Sequence, residues 1–129
     1  MSHTAVLEVA VHDLVCLQKA CQELGAELVL EKKSFKCYAG TEECDHAIRI
    51  KNDSKAYEIG VLRISTQPET YELKTDFWQG GKGLIAYVGQ DACKLYQAYN
   101  AALFEARLPF GYSVTRQLQA DGEVVMVAE

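Results

Sequence analysis

The sequence has no apolar run near the ~20 residues that a membrane-spanning helix requires, so no span is expected. It has no basic excess either: 13 Lys and Arg stand against 18 Asp and Glu, a net charge of −5. Binders of nucleic-acid backbones carry the opposite balance, so neither nucleic acid nor membrane is an expected partner. The opening Met1-Ser2-His3-Thr4 lacks the basic head and apolar block of a secretory signal. A soluble protein of the cytoplasm, or of the equivalent plastid stroma, is the expectation. No Cys-x-x-Cys pair occurs, and Cys16, Cys21, Cys37, Cys44 and Cys93 make an odd set. That count favours free thiols in a reducing compartment. Repeats, linkers and low-complexity stretches are missing too, which leaves one domain over residues 1–129.

What is present is a globular composition, 49% hydrophobic and 24% charged. A chain of this length buries roughly two-thirds of its unfolded surface and needs no disulfide or metal staple. Residues Ala5 to Val11 read as a buried first strand. Asp13 is placed to cap a helix, and Leu14, Leu17, Cys21 and Leu24 then recur at helical spacing until Gly25 stops it. Ala26 to Leu30, Phe35 to Tyr38 and Ala47 to Ile50 read as strands, with Gly40-Thr41-Glu42-Glu43 as a loop. The central feature is a pair of strands, Tyr57 to Ile64 and Thr70 to Asp76, joined by a loose hairpin around Pro68. Gly80-Gly81-Lys82-Gly83 is a flexible joint. Leu84 to Ala106 is helical, with a break near Gly89, and its stripe is Leu95, Tyr99, Leu103 and Ala106. Pro109 and Gly111 end it. A last hairpin turns at Asp121-Gly122.

Strands in runs with two helices define an α+β domain, a single mainly antiparallel sheet with the helices packed on it. A ferredoxin-like arrangement is one option, and the strand order stays open.

Several short stretches together resemble a known family. They are Met1-Ser2-His3, Leu24-Gly25, Tyr38-Ala39-Gly40, Tyr57-Glu58-Ile59-Gly60, Tyr71-Glu72-Leu73 with Asp76 and Trp78, Tyr96, and Gly111 with Val114 before Asp121-Gly122. The chain resembles, over nearly its full length, the hypothetical chloroplast reading-frame thirty-five family. That family has no assigned function and occurs in plastids, cyanobacteria, other bacteria and some phages. The resemblance implies a small single domain, sometimes encoded beside an ATPase of the AAA class, and a role for His3. The sequence departs from the family at Thr4, where an aromatic is usual, and in its extra cysteines.

Four groupings carry chemistry. On a strand, Glu72 and Asp76 point to one face, while Tyr71, Leu73 and Phe77 point to the other. Two acids on one face suit acid–base work or a divalent cation. The plainer reading is a solvated strand face. Cys37, Cys44 and His46, with His3 or His12 as a further ligand, have zinc-binding chemistry but poor ligand spacing, and buried thiols read more simply as small apolar groups. Cys44 with His46 lacks the third, orienting group of a nucleophile. The glycine joint precedes a helix, as phosphate loops do, without their full spacing.

The leading expectation is a non-enzymatic adaptor that binds a protein or small ligand through Tyr57, Tyr71, Glu72, Asp76 and Trp78, with His3 added by resemblance. Trp78 would be the anchor, as tryptophan is enriched at binding hot spots. No cofactor or metal is expected. The rivals are a small enzyme using Glu72 and Asp76, and a nucleotide-binding module at Gly80 to Gly83.

Overall fold

The computed structural model describes residues 4–7 and 10–108, and the backbone of two further strands, Val114–Leu118 and Val124–Ala128. The sequence readings at His3, Pro109, Gly111 and Asp121-Gly122 lie outside the described residues.

The first helix forms where its signals stand. Asp13 is extended, with φ −139°, and its Oδ1 accepts the Cys16 N–H at 3.0 Å. That amide holds the Asp13 carboxyl below its ordinary pKa. Helix α1 then runs Leu14–Glu23 and buries Cys16, Leu17, Ala20 and Cys21. Gly25, at φ +77°, takes the left-handed turn that ends it. Strand β2, Ala26–Val29, follows directly.

The main sheet has five strands. These are β1 (Thr4–Val6), β2, β5 (His46–Ile50), β6 (Ile59–Thr66) and β7 (Glu69–Asp76), in the order β1-β7-β6-β5-β2. Every pairing in it is antiparallel. Strands β3 (Ser34–Cys37) and β4 (Gly40–Glu43) form a separate hairpin, as do β8 (Val114–Leu118) and β9 (Val124–Ala128). The fold is α+β with a mainly antiparallel sheet, as the sequence implies.

Both faces of the sheet are covered near its centre. Successive strand residues point to opposite faces, and the neighbours Ala47 and Ile48 fall into different apolar clusters. Ile48, Ile59, Val61, Tyr71 and Leu73 pack with Leu17, Cys21, Leu95 and Tyr99 of the helices. Phe35, Cys37, Cys44 and Ala47 pack beneath the β3–β4 hairpin, with Leu62 against them.

Some boundaries differ from the sequence reading. Gly40–Glu43, read as a loop, is β4: pairing with β3 overrides the weak strand propensity of its residues. The first strand stops at Val6, which is exposed, and Val11 returns as a single bridge to Tyr71. Tyr57 and Glu58 precede β6 instead of starting it. The central hairpin is tight, with Thr66 opposite Glu69 and a cis Gln67–Pro68 bond between them. The helical segment is broken at Gly89, into α2 (Leu84–Val88) and α3 (Cys93–Ala106), so the described residues hold three helices, not two. Ala106 is exposed, while Ala98, Ala101 and Ala102 are buried on α3. Among the described residues, no helix is long and apolar enough to cross a membrane.

Candidate functional site

Asp76 ends β7 and is fully buried, at 0% exposure. Its Oδ2 accepts the backbone N–H of Tyr38 at 2.7 Å, and its Oδ1 that of Trp78 at 3.0 Å. Tyr38 lies in the turn between β3 and β4. One carboxylate therefore ties the tip of the hairpin to the chain leaving the sheet. The two side chains so positioned meet edge to face, with ring centroids 4.4 Å apart and planes at 66°. Both rings reach solvent: Tyr38 is 51% exposed and Trp78 37%.

The glycine joint is not a free linker. Gln79, Gly80, Gly81 and Lys82 run left-handed, with φ of 51°, 74°, 63° and 55°. This is an uncommon run, because each non-glycine residue in it meets a Cβ–carbonyl clash. The Gly80 N–H bonds the Phe77 carbonyl, and the Tyr57 N–H bonds the Gly81 carbonyl, both at 2.9 Å. Gly81 is required by space as well: an added Cβ would lie 2.9 Å from the Asp76 carbonyl oxygen and 2.9 Å from Leu84 Cβ.

The expected site residues divide. Tyr57, Asp76 and Trp78 gather at this end of the sheet, but Tyr57 is only 5% exposed and supports the site from below. Burial, and then the nearby Asp76 charge, push the Tyr57 hydroxyl pKa up. Tyr71, 1% exposed, faces the helices. Its hydroxyl donates to Glu69 and accepts from Arg63 Nη2 at 3.2 Å, with the Arg63 guanidinium 5.6 Å from the ring centre. The Glu72 side chain is half-buried and makes no hydrogen bond or ion pair among the described residues. Glu72 and Asp76 do share a face, yet four residues along a strand span about 13 Å. That is too far for a shared proton or a shared metal ion.

On the same face Lys74 pairs with Glu42 at 2.9 Å, and Cys37 Sγ lies 3.7 Å from Glu42 Oε2. Cys37 and Cys44 are buried under the hairpin, and burial raises both thiol pKa values. His46 is buried too, with its Nδ1 accepting the Glu31 N–H at 2.9 Å. Among the described residues, no group of three or more His, Cys, Asp or Glu is placed to hold a metal ion.

Sequence reasoning passed over Tyr38, reading it as the last residue of a strand. Its signal was the Tyr38-Ala39-Gly40 stretch, whose role depends on pairing between β3 and a segment taken for a loop. The chain matches no protein-family model, no curated protein and no solved structure.

Proposed function

We propose that this chain is a non-enzymatic adaptor domain that recognises a protein partner through Tyr38 and Trp78. One observation carries the reading: a buried carboxylate is spent on orienting two backbones whose aromatic rings face solvent. Rings held this way lose little conformational freedom on binding, which favours their use as anchors. The acid–base alternative loses support because both Asp76 oxygens already accept backbone amides and Glu72 stands about 13 Å along the strand. The nucleotide alternative loses support because the glycine turn is packed on Asp76 and Leu84 and leads into a helix of five residues.

The family resemblance makes an ATPase of the AAA class the first partner to try. A photo-crosslinking phenylalanine analogue at position 38 should capture a partner in cells. Trp78→Ala in the same chain should reduce that capture at least tenfold while the circular dichroism spectrum stays unchanged. Undiminished capture would overturn the proposal.

A further inference from the structure

Strand β1 lies at the edge of the sheet, and among the described residues nothing pairs with its outer side. Its inner side is set by β7, with Ala5 opposite Thr75 and Val6 opposite Lys74. The Leu7 N–H donates to the Leu73 carbonyl at 2.9 Å. Antiparallel partners alternate between bonded and non-bonded pairs. Leu7 and Ala5 therefore bond inward, and the N–H and C=O of Val6 point outward. An open edge of this kind is a template for another strand.

A cleft of about 600 Å³ lies beside this edge. Ala5–Leu7 form one wall, and Asp91, just before α3, with Cys93, Tyr96 and Gln97 of its first turns, form the other. The lining is mostly apolar, and the volume suits one or two bulky side chains. Two polar features stand out. Gln97 Oε1 is buried and has no hydrogen-bond partner among the described residues. Asp91 is exposed and has no ion pair among them.

We propose that this cleft takes an extended peptide segment of a partner protein, apolar and basic in character, that adds to the sheet as a strand beside β1. The peptide backbone bonds the outward N–H and C=O of Val6, about 4.8 Å from β1. An apolar side chain fills the space against Tyr96 and Cys93. A basic side chain pairs with Asp91, and a donor group reaches Gln97. Charge disfavours a second copy of this chain as the occupant, because each copy carries a net charge of −5. The site uses none of the residues of the Tyr38–Trp78 surface and stands independently of it.

The probe is a random nine-residue peptide library displayed on phage and selected on the full chain. Selected sequences should alternate apolar with polar residues and carry Lys or Arg. A selected peptide, labelled and followed by fluorescence anisotropy, should bind Val6→Pro at least tenfold more weakly. Proline at this position removes an outward N–H and leaves the ladder to β7 intact, as edge strands tolerate. Ala5→Trp, which fills the cleft from an exposed position, should weaken binding to a similar degree. Trp78→Ala should leave it within twofold.

Four outcomes would overturn the proposal. They are no enrichment over background, binding to both β1 variants within twofold of the parent, loss of binding only in Trp78→Ala, and a dimer in sedimentation that Val6→Pro dissociates. The last would assign the edge to a second copy.

Discussion

Asp76 accepts the backbone N–H of Tyr38 at 2.7 Å, joining two points 38 positions apart in the chain. The bond closes the hairpin layer onto the sheet, and the same carboxylate fixes Trp78. Asp76→Ala leaves two N–H groups without their acceptor and is expected to cost about 3 kcal/mol, given the strength of hydrogen bonds to charged groups. Asp76→Asn retains one acceptor oxygen and should cost about half as much. Urea unfolding followed by circular dichroism measures both. An Asn variant as stable as the parent would show that the charge on this carboxylate does not matter to the fold.

Gly60 is the contact point of the hairpin on β6. A Cβ there would come within 2.5 Å and 2.6 Å of two Phe35 ring carbons. Phe35 is itself fully buried, so the ring has little room to yield. Gly60→Ala should lower stability by about 1–3 kcal/mol, the usual cost of overpacking. Combining it with Phe35→Leu should cost less than the sum of the single changes, because the smaller side chain relieves the clash. Strict additivity in thermal unfolding would place the strain elsewhere.

The helices were legible because their signals are local. Asp13, the Leu14–Leu24 stripe, Gly25 and the break at Gly89 all act within a few residues of themselves. The central pair β6 and β7 was legible for the same reason, apart from its tight turn. What the sequence hid was pairing at a distance. Glu72 and Asp76 share a face, as their spacing implies, but that face is not open water at Asp76. The β3–β4 hairpin covers it, and half of that hairpin has the residues of a loop. The aromatic partner of Trp78 was hidden with it, since Tyr38 becomes its neighbour only when the hairpin folds over β7.

The left-handed turn after Trp78 separates two costs of replacing a glycine. Gly25 has φ +77° and nothing within 4 Å of an added Cβ, so Gly25→Ala carries only the backbone penalty of about 1–2 kcal/mol. Gly81 has φ +63° and an added Cβ would meet Asp76 and Leu84 at 2.9 Å. Gly81→Ala should therefore cost the same penalty plus about 1–3 kcal/mol of overpacking. It should also alter the Trp78 emission spectrum, which Gly25→Ala should not. Equal melting temperatures for the two variants would mean that the turn is not packed against β7.

Burial on α1 pushes the Cys21 thiol from an ordinary 9.0 up to about 12. Below pH 9 the thiol is protonated in both folded and unfolded chains, and its contribution to stability is fully present. Between pH 9 and 12 the unfolded chain releases this proton while the folded chain keeps it, so unfolding becomes progressively easier. The loss should approach about 1.4 kcal/mol for each pH unit in that window, and about 4 kcal/mol across it. Tyr96, whose hydroxyl burial also raises to about 12, adds to the slope above pH 10. Cys21→Ala removes the thiol part alone. Urea unfolding at pH 8, 9, 10 and 11 should show a shallower decline in that variant than in the parent, from a lower starting stability. Parallel declines would mean that the thiol meets water in the folded chain, and that α1 does not seal this part of the core.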